Sequence, residues 1–580
     1  MDFVATLGIH DAHDAGAALV SEGRVVGAVN EERFTKRKND VGLPVNSIRY
    51  LLNGLQSEEI EQVAVPWYGG SALFARVFPK LEQKRRDLWR KAAKKPTRLR
   101  MHIQNLAFRL IQNQNPKVFW KFMGTHVGGY FLAKRLHSLG IDKKIVFVEH
   151  HMAHAASAYF ASGFKEALVV TLDGAGDGLS GTVSLADKGH FERLASFNAS
   201  ASLGLLYGAA TLACDLKYSE DEGKLMSLAA YSYPETIPEL AKMVKYDEKA
   251  KQLVSSMGVK YEFELAEYIK DHILWKYNRE ALAFGVQRYV EEQVSKIINQ
   301  FINETGVRNV AVAGGLFSNV IINMMLNESP EIKDFFVFPH MGDGGLAMGA
   351  AYFADFQEHG RLANKQIENL YYGPEYSDID IEKELKKHAN KHEIEYEEVS
   401  DIAKYVADEI GENNKIVLWF QGRMEYGPRA LGNRSVLALA DKPENRDKIN
   451  IIIKRRPYYQ PFASTILEED AKLLLNPYPR PNRFMTVGYK VIPEKFPELV
   501  AASHIDKTTR PQILGKENKL YRALLQEVKK KTGYGAILNT SLNKHGMPIV
   551  MSPEDALWTL ENTGAKYLAI GNFYVEKKEK

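Results

Sequence analysis

Two histidines spaced by four residues, His150 and His154, are well suited to bind one metal ion. On a helix, residues i and i+4 share a face, so both imidazoles can reach the same ion while His151 points elsewhere. The spacing resembles that of zinc-protease helices, but the general-base glutamate between the histidines is missing, which argues against a protease. Three unrelated histidines at the start of a helix are the competing interpretation.

Two aspartates after apolar strands can complete such a site. Asp173 follows a strand predicted over residues 167–172, and Asp343 lies in the loop MGDGG after a strand predicted over residues 336–338. Two imidazoles with two carboxylates form a mixed nitrogen and oxygen set, which suits iron(II), manganese or zinc. The sequence therefore predicts a divalent metal site.

The loop HDAHDAG, at residues 10–16, offers a general base. A histidine pKa of about 6.5 leaves the neutral ring available at neutral pH, so a histidine there can accept a proton from a substrate hydroxyl. His13 and His10 both qualify, and the residues alone leave the choice open.

These residues lie at the ends of predicted strands. Residues 3–33 and 167–197 each read as three strands, with a polar loop after the first. This repetition predicts a duplicated α/β core, whose plan resembles that of the actin-like, sugar-kinase-like superfamily. Gly314 and Gly315 form a further strand-to-helix junction, and so do the glycines of MGDGGLAMG; both can bind an anion, although such turns are more often only packing.

The composition is that of a globular protein and excludes a disordered or fibrous one. The chain has 580 residues, 76 basic and 72 acidic, with 45% hydrophobic residues. The single cysteine, Cys214, excludes an internal disulfide and a cysteine-based zinc module. The sequence contains neither a signal-peptide pattern at MDFVATLGIH nor a run of about 18 apolar residues, so we expect a cytoplasmic protein.

The length predicts two to four domains at roughly 150 residues each. The stretch HGRLANKQIENLYYGPEY, at residues 359–376, is polar and rich in turn formers. We place a boundary there and predict one α/β domain over residues 1–365 and a second over residues 370–580.

One segment concentrates the positive charge. Residues 76–121 hold fourteen lysines and arginines against two acidic residues, a net charge of +12, whereas the rest of the chain sums to −8. Aromatic residues interleave these charges, which is compatible with nucleic-acid binding. We favour a helical insertion, over about residues 70–135, whose cationic face stays in solvent, because the segment carries no nucleic-acid module.

Seven motifs, in this order along nearly the whole chain, resemble the NodU/CmcH/TobZ family of O-carbamoyltransferases. They are HDAGAAL (13–19), EHHMAHAASAY (149–159), LDGAGDG (172–178), GGLFSN (314–319), GDGGLAMGAA (342–351), WFQGRMEYGPRALGNRS (419–435) and LNTSLNKHGMPIV (538–550). The basic segment matches no motif of the family.

The resemblance implies a two-domain enzyme. The first domain would be similar to the threonylcarbamoyl transferase of tRNA modification, and the second to YrdC. Carbamoyl phosphate and ATP, with Mg²⁺ accompanying ATP, would give carbamoyl adenylate in the second domain. The carbamoyl group would then pass to a hydroxyl of a small-molecule acceptor, a natural product or saccharide, in the first.

The resemblance also implies roles for individual residues. His13 takes the general-base role, and the predicted metal ligands become those of iron(II) or another divalent metal. The nucleotide of the first domain would meet Gly314, Gly315 and Asn319. In the second domain, carbamoyl phosphate and ATP would bind to Arg429, Lys454, Arg510, Asn539 and Ser541.

Physical chemistry agrees with this division, because a site that holds two polyanions needs fixed cations. The motifs and loops of the second domain supply Arg423, Arg429, Arg434, Lys454, Arg455, Arg456 and Arg510. For any single arginine, a surface ion pair is the commoner role.

Two other functions are compatible with the sequence. One is a fused transferase that forms threonylcarbamoyladenosine in tRNA, in which the basic segment would bind phosphates. The other is a non-catalytic nucleotide-binding regulator. The acceptor is not named by the sequence, homodimerisation is left open, and we expect neither membrane nor nucleic acid as a partner.

Overall fold

The chain forms two compact units. The computed structural model describes residues 4–68, 70–84, 121–234, 236–258, 260–362, 365–389 and 394–578. The first unit comprises residues up to 31 and residues 39–367, and the second comprises residues 32–38 and 368–580.

The first unit contains two five-stranded sheets that share one strand order. Its strands are β1 (Ala5–His10), β2 (Gly16–Ser21), β3 (Arg24–Asn30), β4 (Ile60–Pro66), β5 (Lys144–Val148), β6 (Glu166–Gly176), β7 (Leu179–Asp187), β8 (His190–Asn198), β9 (Lys245–Asp247), β10 (Gln252–Val254), β11 (Asn309–Ala313) and β12 (Asp334–Val337). The orders are β3-β2-β1-β4-β5 and β8-β7-β6-β11-β12, and β9 and β10 form a separate hairpin.

Each sheet combines an antiparallel meander with two parallel strands. The meanders are β1–β3 and β6–β8, and the parallel strands are β4 and β5 beside β1, and β11 and β12 beside β6. The two meanders lie where the sequence predicts them. The segment DGAG, predicted as a loop, belongs instead to β6, because pairing with β7 is irregular after Leu172 and resumes at Gly176.

The helices fill the space around the sheets. In chain order they are α1 (Glu32–Thr35), α2 (Val45–Leu51), α3 (Gly70–Val77), α4 (Gly128–His137), α5 (His150–Ser162), α6 (Leu203–Ala213), α7 (Glu222–Leu228), α8 (Leu240–Met243), α9 (Glu262–His272), α10 (Arg279–Thr305), α11 (Val320–Glu328), α12 (Leu346–His359), α13 (Asp378–Ala389), α14 (Ile402–Gly411), α15 (Pro443–Ile449), α16 (Glu468–Leu474), α17 (Lys519–Thr532) and α18 (Pro553–Glu561). Short 3-10 or π segments are Ser57–Glu59, Met123–Val127, Ala229–Tyr231, Gly315–Ser318, Asp343–Gly345, Asn450–Lys454 and Pro493–Ala502.

Helix α12 lies between β1 and helix α5 at backbone-contact distance. A methyl group built on Gly8 of β1 would lie 1.9 Å from the carbonyl oxygen of Ala347. A methyl group built on Gly349 would lie 1.9 Å from the carbonyl oxygen of Ala153 in α5. Glycine at these two positions therefore sets how closely α5, α12 and β1 approach.

The second unit is built on a mixed eight-stranded sheet. Its strands are β13 (Ile394–Glu398), β14 (Val417–Phe420), β15 (Arg434–Leu439), β16 (Ala463–Leu467), β17 (Tyr489–Lys490), β18 (Thr508–Thr509), β19 (Gln512–Leu514), β20 (Ala536–Ser541), β21 (Tyr567–Ile570) and β22 (Phe573–Lys577). The order is β13-β22-β21-β14-β15-β20-β16-β19, and β17 pairs with β18 alone. Helices α14 and α17 pack on each other and share an apolar core with the central strands.

A short N-terminal segment, residues 32–38, belongs to the second unit. The buried Arg33 donates to the carbonyl oxygen of Gly427 at 2.7 Å, and Lys36 forms an ion pair with Asp555. The sequence assigns these residues to the first domain. They pack with the second unit instead, because side-chain contacts such as these two, rather than chain order, decide where a segment packs.

The basic segment lies largely outside the described residues, which omit residues 85–120. Its first residue, Arg76, is buried and forms an ion pair with Asp11, so the expectation of a solvent-exposed cationic face is wrong for this residue. Across the described ranges, no helix is both long and apolar enough to span a bilayer.

We predict that Gly349→Ala destabilises the first unit by about 1–3 kcal/mol, because the added methyl group overpacks the α5–α12 contact. Gly223→Ala is the matched control, since a methyl group there meets no atom within 4 Å. Denaturant unfolding of the full chain measures the difference. Equal midpoints for Gly349→Ala and the wild type would contradict the packing argument.

Candidate functional site

Four side chains of the first unit converge between the start of α5 and the turn that precedes α12. Their ligand atoms all lie within 4.8 Å of one another, and they belong to His150, His154, Asp173 and Asp343. Nε2 of His150 lies 3.3 Å from Asp173 Oδ2 and 3.7 Å from Asp343 Oδ1. Nε2 of His154 lies 3.7 Å and 3.3 Å from the same oxygens. The structure brings together the residues that the sequence predicts as ligands.

Three carboxylate contacts hold the first turn of α5. Glu149 caps the helix by accepting the N–H of Met152 at 2.9 Å, and Arg193 pairs with the Glu149 carboxylate at 2.8 Å. Oδ2 of Asp177 accepts the N–H of His150 at 3.0 Å. Side-chain acceptors at a helix N-terminus satisfy N–H groups that have no partner in the helix. The two ligand histidines are therefore held one turn apart.

His151 has a structural role instead. Its Nδ1 lies 2.9 Å from the hydroxyl of Thr171, and its Nε2 lies 3.1 Å from the carbonyl oxygen of Leu179. Burial, reinforced by the neighbouring His150, lowers the pKa of His151 to about 3. His151 is thus a neutral ring whose nitrogens are both occupied within the fold.

Glycines lie against the ligands where any side chain would displace them. The N–H of Gly315 donates to Oδ1 of Asp173 at 3.0 Å, which leaves Oδ2 facing the histidines. A methyl group on Gly315 would lie 2.6 Å from Oδ1, and one on Gly176 would lie 2.1 Å from the His150 ring. These glycines therefore shape the site around its ligands.

The site is electronegative although it is buried. Burial and Asp173 oppose the ionisation of Asp343, but His150 and His13 outweigh them and lower its pKa to about 2. Burial also opposes ionisation of Asp173, yet the two ligand histidines hold its pKa well below the usual value. Burial alone would lower the pKa of His154, but the two carboxylates raise it to about 9. Two ionised carboxylates thus face the ligand nitrogens.

The arrangement fits a divalent cation. Among the described residues, the buried Nε2 of His154 makes no hydrogen bond, although two carboxylates face it. A cation placed between these groups would satisfy the nitrogen and both carboxylates at once. The mixed nitrogen and oxygen set suits iron(II), manganese or zinc.

His13 adjoins this cluster, whereas His10 is enclosed. Nε2 of His13 lies 3.1 Å from Asp343 Oδ2, Nδ1 lies 3.0 Å from Asp14 Oδ2, and 28% of the His13 side chain is exposed. His10 is fully buried, and burial lowers its pKa to about 4. His13 is therefore open to solvent, whereas His10 is enclosed by the fold.

The predicted nucleotide residues are engaged within the fold. Oδ1 of Asn319 caps α11 by accepting the N–H groups of Ile321 and Ile322 at 3.1 Å, and Nδ2 donates to Gln287. The N–H of Gly314 donates to the carbonyl oxygen of Met341 at 2.7 Å. These contacts shape the turn, and nucleotide binding there stays a prediction.

Two residues beside the ligands were not predicted from the sequence. Asp177 is the second aspartate of LDGAGDG, and its carboxylate could have been inferred from that motif. Trp67 follows β4, and its ring centroid lies 4.8 Å from that of His150. No spacing or motif marks Trp67, because its contact with His150 arises from folding of distant segments.

In the second unit, four basic side chains influence one another. Burial lowers the pKa of Lys454 well below its usual value, and Arg456 lowers it further. Burial and Arg510 lower the pKa of Arg456 to about 9, and burial and Arg429 lower the pKa of Arg510 to about 10. A bound anion would offset both the free-energy cost of burying these cations and their mutual repulsion.

Neutral polar groups accompany the cluster. Nζ of Lys454 donates to the Ser541 hydroxyl at 3.2 Å and to Oδ1 of Asn543 at 2.6 Å. Nδ2 of Asn539 donates to Thr465, whereas Oδ1 is buried and has no hydrogen-bond partner among the described residues. That oxygen can accept an N–H from a ligand.

Two arginines that the sequence places among these cations instead support the fold. The buried Arg434 donates to the carbonyl oxygen of Gln421 at 2.6 Å and lies 3.6 Å from the centroid of the Phe420 ring. Arg423 donates to the carbonyl oxygen of Tyr372 at 2.8 Å. Their donors serve backbone carbonyl groups, so these two arginines have a structural role, and the anion site stays a prediction.

Two family models match the chain. The model described as carbamoyltransferase N-terminus matches residues 5–352, and the model described as carbamoyltransferase C-terminus matches residues 407–577. Together they span most of both units.

Several relatives are identical to this chain at about a third of the aligned positions. An uncharacterized protein of Methanocaldococcus jannaschii is 34% identical over 98% of this chain and 99% of its own length. Nodulation protein NolNO of Sinorhizobium fredii is 31% identical over 98% of this chain and 79% of its own length. Nodulation protein NolO of Bradyrhizobium diazoefficiens is 34% identical over 74% of this chain and 79% of its own length.

Solved structures show only a distant likeness. Full-length HypF in a phosphate- and nucleotide-bound form is 15% identical, with a TM-score of 0.36 over 61% of this chain and 47% of its own. HypF of T. kodakarensis is 13% identical, with a TM-score of 0.38 over 63% of this chain and 50% of its own.

We predict that His154→Ala removes the bound metal, because it deletes a ligand that faces both carboxylates. Metal analysis of the purified protein should show about one divalent ion per chain in the wild type and a large loss in the variant. His359→Ala, which breaks a partly exposed ion pair with Glu61, is the control. Full metal content in His154→Ala would contradict the proposed ligand set.

Proposed function

Because the chain belongs to the carbamoyltransferase family, we propose that this transferase uses carbamoyl phosphate and ATP to carbamoylate a hydroxyl group of a small-molecule acceptor. The observation that carries the proposal is the presence of two buried sites of opposite charge. One is the His/Asp cluster of the first unit, and the other is the cation cluster of the second.

In this proposal the second unit makes carbamoyl adenylate. Carbamoyl phosphate and one water give carbamate and phosphate, and a carbamate oxygen then attacks the α-phosphorus of ATP and expels pyrophosphate. Both substrates are polyanions, and Mg²⁺ would accompany ATP. Arg429, Lys454 and Arg510 would bind their phosphates, because fixed, partly desolvated cations bind phosphate strongly. The free Oδ1 of Asn539 would accept an N–H of the carbamoyl group, and Ser541 would orient Lys454.

The first unit then transfers the carbamoyl group. His13 would take the proton of the acceptor hydroxyl on Nε2, while Asp14 holds the opposite ring nitrogen. The acceptor oxygen forms a bond to the carbamoyl carbon, and AMP leaves. Exposure of His13, in contrast to the enclosed His10, supports this assignment.

His150, His154, Asp173 and Asp343 would hold iron(II) or another divalent ion. Such an ion supplies Lewis-acid polarisation and neutralises phosphate charge. Gly314, Gly315 and Asn319 would contribute by shaping the turn against which the nucleotide part of the adenylate would bind. A mixed anhydride hydrolyses in water, so a buried site also protects it.

We predict that Lys454→Met abolishes pyrophosphate release from ATP and carbamoyl phosphate in the absence of any acceptor. The variant loses a buried cation that would contact the phosphates, whereas the exposed Lys472→Met should behave as the wild type. Release is followed with a coupled pyrophosphate assay. Undiminished release by Lys454→Met would show that the cation cluster takes no part in the reaction. No release by the wild type would refute adenylate formation.

A second prediction separates the two units. His13→Asn should retain pyrophosphate release but transfer no carbamoyl group, because only the proton acceptor is lost. Hydroxylated natural products and saccharides are screened with the wild type by the mass gain of one carbamoyl group, and the best acceptor is then tested with the variant. Loss of both activities, or of neither, would contradict the role given to His13.

A further inference from the structure

Arg76, the first residue of the basic segment, makes contacts that the proposed mechanism does not use. Its guanidinium lies 2.7 Å and 3.0 Å from the two carboxylate oxygens of Asp11, and the side chains are only 1% and 3% exposed. The same group donates to the carbonyl oxygen of Trp67 at 3.1 Å and to that of Gly124 at 3.3 Å. One side chain thus joins three segments that are distant in sequence.

Trp67 occupies a backbone conformation that bulky residues rarely adopt. Its φ angle is 82° and its side chain is buried. Such a conformation persists only where the surroundings enforce it. The N–H of Trp67 donates to the carbonyl oxygen of Val148 at 2.8 Å, and its own carbonyl oxygen accepts from Arg76. Arg76 therefore helps to fix the turn.

The Trp67 ring lies among three histidines, namely the enclosed His10, the proposed base His13 and the proposed ligand His150. It is stacked on His10, with centroids 6.0 Å apart and planes 6° apart. It meets His13 and His150 edge-on, at centroid distances of 5.9 Å and 4.8 Å. The orientation of Trp67 therefore restricts where the proposed base and one metal ligand can lie.

We propose that Arg76 is a positioning residue that sets His13 and His150 through Asp11 and Trp67. The inference rests on the proposed function, since it concerns the same metal and transfer site. The planar fork of arginine bonds both carboxylate oxygens and still reaches a carbonyl oxygen, which the single ammonium of lysine does not reproduce. Asp11 lies between His10 and His13 in the chain, so the ion pair holds the loop and Trp67 together.

The test is a titration of the metal-free full chain with Co²⁺ alone, followed by the visible absorption of the bound ion. Arg76→Met should bind Co²⁺ about 10–100-fold more weakly and with an altered spectrum, because ligand orientation is lost. If Arg76 acted only through its charge, its removal would leave Asp11 unpaired and strengthen cation binding. Unchanged or tighter binding by Arg76→Met would therefore overturn the proposal.

Three further variants keep the test decisive if Arg76→Met folds poorly. The double variant Asp11→Asn/Arg76→Met removes the unpaired buried carboxylate and should still bind Co²⁺ weakly. Arg76→Lys should restore only part of the affinity, and full restoration would show that bridging is not needed. Lys144→Met, which breaks an exposed ion pair with Glu358, should bind as the wild type.

Pyrophosphate release by the second unit serves as an independent readout of the same samples. It should be unchanged in the Arg76 variants, because the effect is confined to the first unit. Failure of release in the wild type would refute the proposed function and leave the Co²⁺ result standing. Equal losses of release and of Co²⁺ binding in the double variant would instead indicate general misfolding and overturn a positioning role.

Discussion

The close approach of helices α5 and α12 is the contact on which the geometry of the proposed metal site depends. Gly349 lies against the carbonyl oxygen of Ala153, the residue that precedes His154, and Asp343 lies in the turn just before α12. On its other side α12 meets Gly8 of β1, the strand that leads to the loop of His13. Because glycine allows backbone contact on both sides, ligands from separate halves of the first unit reach a common point.

The two units concentrate opposite charges in buried positions. In the first unit, carboxylates stay ionised because the imidazoles outweigh the cost of burial. In the second unit, burial and mutual repulsion lower the pKa values of Lys454, Arg456 and Arg510. Buried charge of one sign is costly unless a counter-charge is supplied. Each site is therefore suited to a ligand of the opposite sign, a cation in the first unit and an anion in the second.

Several polar residues that belong to the functional motifs of the sequence support the fold around these sites. Asn319 caps a helix, Arg434 bonds backbone carbonyl groups, and the histidine between the two ligand histidines is bonded to a strand. Residue type and motif membership do not separate such supporting groups from ligand-binding groups. The two kinds of group differ in whether a polar atom already has a hydrogen-bond partner in the fold. The buried Nε2 of His154 has none among the described residues.

The sequence by itself determined the features that depend on local spacing. The two strand meanders, the helix that begins at His150 and the i, i+4 pair follow from periodicity, and the family follows from ordered motifs that the family models also match. Only the tertiary structure decided that His13 rather than His10 is accessible, that Arg76 is buried against Asp11 and Trp67, and that residues 32–38 pack with the second unit. These outcomes join segments far apart in the chain. Local spacing carries no information about such contacts, because the free energy that selects them comes from packing and burial in the folded protein.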